Sequence, residues 1–79
     1  MSEEIYQKLA QAVIDGEDKD AEALAKQALE LGLDPLNCIT KGLTQGIQEV
    51  GELFRKGECF LPELIISANA MKAAMKILE

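Results

Sequence analysis

Residues 42–71 read GLTQGIQEVGELFRKGECFLPELIISANAM, and this stretch decides the fold. Leu43, Ile47, Val50 and Phe54 recur at three- and four-residue steps, which is one face of a helix. The same spacing reaches back through Ile39 to Leu36, so the helix runs about five turns and ends near Gly57. It starts at Asp34-Pro35, an N-cap acid followed by proline at the first helical position. A short polar corner, Arg55-Lys56-Gly57-Glu58, then turns the chain between two apolar ends, Leu53-Phe54 and Phe60-Leu61. Pro62 belongs in the first turn of a last helix that reaches about Leu78.

Upstream of this stretch the periodicity predicts two more helices. Ser2 is a good N-cap, and Glu3 and Glu4 suit the positive end of the helix dipole. Ile5, Leu9, Ala12 and Val13 share one face, and Asp15-Gly16 ends the run. Asp18 is positioned to cap the second helix, whose apolar set is Ala21, Leu24, Ala25, Ala28 and Leu29. Gly32 is its expected C-terminal glycine. No segment shows a period of two. The expectation is an all-α protein: residues 1–79 as a single up-down four-helix bundle.

The last helix carries two apolar lines. One is Leu61, Leu64, Ile65, Ala68, Met71, Met75 and Leu78; the other is Ile66, Ala70, Ala73 or Ala74, and Ile77. A helix apolar over most of its circumference is either deeply buried or serves two surfaces. A bundle of this size cannot surround one helix, so part of that surface is expected to meet a ligand, another domain or a second copy. Glycines inside the third helix carry a similar message. Gly42 and Gly46 form a GxxxG step suited to close helix packing, while Gly51, nearer the corner, suits either internal packing or close approach by something outside.

Composition excludes several kinds of chemistry. There are 14 acidic and 8 basic residues for a net charge of -6, with the basic ones scattered, so nucleic acid is not an expected partner. No histidine is present, which removes the commonest general base and metal ligand. Glu49, Glu52, Glu58 and Glu63 cluster around the corner, but a solvated acidic face explains them better than paired catalytic carboxylates. Cys38 and Cys59 lack a CxxC spacing and read as reduced, semi-buried residues of a cytoplasmic protein. No apolar run approaches the length of a membrane span. From the residues alone, this is a small acidic helical module presenting an apolar surface and holding no catalytic constellation.

The run GLTQGIQEVGELFRKGECFLPELIISANAMKAAMKIL closely resembles the helical cap module of corrinoid-dependent methyltransferase proteins. That module precedes the cobalamin-binding domain in methionine synthase and in the corrinoid proteins of methanol, methylamine and O-demethylase systems. The family pattern is roughly G-(I/L/M)-x-x-V-G-x-x-(F/Y)-x-x-G-(E/K)-x-F-(L/V)-P-x-(L/V), then S-A-x-x-M. This chain supplies Gly46, Ile47, Val50, Gly51, Phe54, Gly57, Glu58, Phe60, Leu61, Pro62, Leu64, Ser67, Ala68 and Met71.

The resemblance implies a four-helix bundle packed above a Rossmann-like domain, with the corrin ring between them. It implies that Phe54, Leu61 and Leu64 lie over the methyl group on the upper face of cobalamin. An apolar lid there excludes water and must move aside for methyl donors and acceptors. The family's second half is not matched: the D-x-H-x-x-G motif and its cobalt-coordinating histidine do not occur here. The expectation is therefore an excised fragment or a free-standing cap that touches cobalamin through a partner domain and holds it only weakly alone. An apolar patch left uncovered would favour a homodimer. The competing expectation is a structural or protein-interaction bundle that dimerises through its last helix.

Overall fold

A computed structural model describes residues 2–78. Four helices follow one another: α1 over Ser2–Asp15, α2 over Asp18–Glu30, α3 over residues 35–55, and α4 over Leu61–Leu78. The described residues contain no strand, and the all-α bundle is as expected. Ser2, expected as the N-cap, is the first residue of α1, and its side chain lies outside what the structure describes.

Three helices end in the same way. Gly16, Gly32 and Gly57 have φ of 70°, 77° and 77°. In each case the glycine N–H and the next N–H donate back to carbonyls of the last turn, as with Gly57 to Phe54 O at 3.1 Å and Glu58 to Leu53 O at 2.8 Å. This Schellman pairing satisfies the carbonyls a helix leaves open at its end. The starts differ. Asp34 caps α3, its carboxylate accepting from Leu36 N–H at 3.0 Å, with Pro35 next. The cap expected of Asp18 is not formed: Asp18 is the first helical residue, and Glu17 holds the N-cap position without a side-chain bond.

α3 hides a feature the periodicity did not reveal. Between Pro35–Asn37 and Thr44–Arg55, residues Cys38–Leu43 form a π-helical segment. Inside it the Thr40 hydroxyl donates to Leu36 O at 3.0 Å. The wider turn has a packing reason. Cys38, Gly42, Gly46 and Val50 are all buried, three successive steps of four residues. A straight α-helix turns such a row progressively off its face, and a π segment brings it back. The row meets α1. A methyl added at Gly42 would lie 3.1 Å from Leu9 Cβ and 3.3 Å from Tyr6 O, and one added at Gly46 would lie 2.6 Å from Ala10 O. The matched order of contacts makes α1 and α3 parallel neighbours, and both glycines serve the close packing expected of them.

α2 lies along α4 and α1, and α4 closes against α3. The expected core of α1, Ile5, Leu9, Ala12 and Val13, is buried throughout. α2 contributes Ala21, Ala25 and Ala28, whereas Leu29 and Leu36 of the expected apolar sets stay exposed at the α2–α3 end. The inward seam of α4 is Ser67, Ala70, Ala74 and Leu78: it takes Ala70 and Ala74 from one of the lines read from the sequence and Leu78 from the other, and adds Ser67. Alanines on both α2 and α4 let their backbones approach, and this displaces the large side chains of α4 to the flanks. Leu64, Met71 and Met75 are half-buried there, and Leu61, Ile65 and Ile66 are exposed.

Candidate functional site

Exposed apolar residues gather in two places, Leu29, Leu31 and Leu36 at the α2–α3 end and a second group at the α3–α4 corner. Phe54 is 41% exposed, Phe60 73%, Leu61 55% and Ile65 52%. Of the three residues singled out by resemblance, Phe54 and Leu61 open to solvent and Leu64 is half-buried below them. Phe54 occupies the last turn of α3, while Leu61 and Leu64 occupy the first turn of α4. Ile65, one turn beyond Leu61, extends the same surface. Phe60 and Ile65 were not among the residues expected at the site. Their signal was the excess of apolar residues on the last helix, which marks a surface without naming its members.

An unexpected residue holds this corner. Cys59 is buried and its thiol donates to Val50 O at 3.7 Å. The chain thus turns its smallest apolar side chain inward and its largest, Phe60, outward. That is the reverse of what transfer free energy alone favours. The Phe60 N–H donates to Glu63 Oε1 at 3.3 Å, the returning half of a capping box, which fixes the direction in which α4 departs. One turn further along α4, the buried Ser67 hydroxyl donates to Ile14 O at 3.5 Å and ties α4 to the end of α1.

The charged groups around the corner face solvent. Glu49, Glu52, Glu58 and Glu63 are exposed, as the helical wheels indicated. Arg55 pairs with Glu52 at 3.4 Å in the open, where such a pair adds little stability. Both cysteines are free thiols and both are buried. Burial raises the pKa of each above the ordinary thiol range, with the charge of Asp34 adding to this at Cys38 and that of Glu63 at Cys59. Neither is poised as a thiolate nucleophile. Among the described residues, no three His, Cys, Asp or Glu side chains stand close enough to hold a metal. None of the described helices is long and apolar enough to cross a membrane.

Two shallow grooves run elsewhere. One lies along α2 and α4 near Glu22, Asn69 and Lys72; the other lies along α1 and α2 near Lys8, Asp15 and Leu24. Neither includes Phe54, Leu61 or Leu64. The corner is an open apolar surface, built from Phe54, Phe60, Leu61 and Ile65.

Comparison with known proteins places this geometry in context. The model of a family described as "B12 binding domain" matches residues 5–79. The trimethylamine corrinoid protein of Methanosarcina barkeri is 45% identical over 76 residues, which are 96% of this chain and 35% of that protein. Monomethylamine corrinoid protein 1 of Methanosarcina acetivorans is 43% identical over 77 residues, 98% of this chain and 35% of that protein. The solved structure of the Methanosarcina barkeri monomethylamine corrinoid protein superposes with a TM-score of 0.95 at 38% identity, over 99% of this chain and 37% of that one. The chain spans about a third of the length of the relatives it matches.

Proposed function

The chain belongs to the B12 binding domain family, and from that premise we propose that it is the helical cap of a corrinoid protein in a methyl-transfer system. In this reading Phe54, Leu61 and Leu64 cover the upper face of cobalamin, and a Rossmann-like domain holds the rest of the cofactor. The observation that carries the proposal is the open corner: Phe54 and Leu61 stay exposed although the bundle is complete around them. Solvent-exposed apolar side chains grouped at one corner mark a surface with an occupant.

Bound cobalamin supplies a cobalt centre able to carry a methyl group between donor and acceptor. This chain's residues supply exclusion. The Phe54 ring and the Leu61 side chain displace water from the covered face, and Leu64 backs them from below. No group on the corner competes as a nucleophile, since the nearest thiol, Cys59, is buried and protonated. The contact is small and apolar, so it can be released when substrates need access. The chain has no histidine, so an imidazole ligand for the opposite face would have to come from the partner domain.

The test is an absorbance titration of methylcobalamin with this chain, with and without a separately produced corrinoid-binding domain. Slower photolysis only when both proteins are present supports a cap acting on a partner. Phe54→Ala and Leu61→Ala should then abolish protection while the bundle remains helical by circular dichroism. Protection that stays unchanged per folded molecule in both variants would remove these residues from the site. The exposed Leu61 and Ile65 also support a second reading, a bundle that dimerises through α4. It is the better one if the chain sediments as a dimer and protects nothing.

A further inference from the structure

Six glycines occur in the chain, and five have an internal explanation. Gly16, Gly32 and Gly57 take positive φ to end helices. Gly42 and Gly46 lie where a methyl would press on α1. Gly51 is the exception. It sits inside a regular part of α3 without a positive φ, and a methyl added there would meet no atom within 4 Å. Neither backbone conformation nor packing within the bundle calls for glycine, and alanine is the better helix former at such a position.

Its surroundings suggest what does. Gly51 precedes Phe54 by three residues, so the two share neighbouring surface on α3. The bare backbone lies open beside an exposed aromatic ring, and a Cβ there would stand in the free space in front of it. We propose that Gly51 is a close-approach site for the corrin ring, whose rim rests against the α3 backbone there while Phe54 lies alongside. The proposal rests on the cap reading and adds to it a residue whose contribution is the absence of a side chain. It also explains why a helix that already carries two packing glycines keeps a third.

The experiment compares the wild-type chain, Gly51→Ala and Gly51→Val by thermal unfolding and by association with a separately produced corrinoid-binding domain, both cobalamin-free and loaded with methylcobalamin. Gly51→Ala should unfold at or above the wild-type temperature. It should bind the loaded domain at least tenfold more weakly and lose protection against photolysis, and Gly51→Val should lose more. Equal binding and protection by wild type and Gly51→Ala would overturn the proposal while leaving the cap reading intact. An equal loss against the cobalamin-free domain would assign Gly51 to a protein contact and overturn it too. If the wild-type chain itself gives no protection, the cap reading fails and this proposal falls with it.

Discussion

Gly46→Ala tests how α3 meets α1, and the structure fixes both sign and size. The added methyl would lie 2.6 Å from Ala10 O, 2.9 Å from Val13 Cβ and 3.0 Å from Ala10 Cα. Two of these three atoms are backbone, so no rotamer change relieves the contact and the helices must part. Overpacking of this kind costs about 1–3 kcal/mol, and contact with backbone belongs at the upper end. Replacing glycine by alanine inside a helix returns about 1 kcal/mol. The net loss is about 1–2 kcal/mol, which for a domain of this size lowers the unfolding midpoint by about 5–15 °C. Gly42→Ala should be milder, because its contacts are longer, 3.1 and 3.3 Å to the Leu9 side chain and 3.3 Å to Tyr6 O. Thermal and urea unfolding followed by circular dichroism give the ranking. A midpoint for Gly46→Ala at or above wild type would refute the reasoning, since it would mean that α1 and α3 are not in contact at this position.

Three further outcomes follow from the capping and burial described above. Asp34→Ala removes the bond to Leu36 N–H and should lower stability by about 1 kcal/mol in urea unfolding, with Asp34→Asn retaining most of it. Ser67→Ala leaves Ile14 O without its partner and should cost about 1 kcal/mol, detectable also as faster amide exchange at the end of α1. Both thiols titrate above the ordinary range in the folded chain, so the native state binds these protons more tightly than the unfolded state. Stability is therefore full below the ordinary thiol range and falls as pH rises through it. The difference in urea midpoint between wild type and Cys38→Ala should narrow as pH rises above that range, and a difference that widens would contradict the sign.

Much of the bundle was legible because its signals are local. The face of α1, the Asp34-Pro35 start and the terminal glycines all occupy the places their spacing indicates. Asp18 was misplaced by one position, since an acid at the N-cap and an acid in the first helical turn are chemically alike in a sequence. The seam of α4 was unreadable for a different reason. A helix apolar on nearly every side has no phase, and its inward face is set by what α2 offers, namely alanines at 21, 25 and 28. The π segment left one trace, the four-residue steps from Cys38 to Val50, which look helical unless counted for drift. At the site, physics alone indicated an apolar surface on the last helix. The names Phe54, Leu61 and Leu64 came from resemblance, because which apolar residue remains outside depends on Cys59 turning in.

The alanine contact between α2 and α4 has a mechanical consequence. Large side chains interlock like gear teeth, so sliding one helix along another lifts each tooth from its socket. Ala21, Ala25 and Ala28 facing the Ala70 and Ala74 side of α4 present almost smooth rods, with attraction spread evenly along their length. Small side chains interlock less than large ones, and small slides of packed helices past one another are the shear class of protein motion. At the ends of the seam the Ser67 hydrogen bond ties α4 to α1 and Leu78 is buried. The apolar corner is thus carried on a helix whose contact with α2 is lined by small side chains, with Ser67 and Leu78 buried towards its two ends.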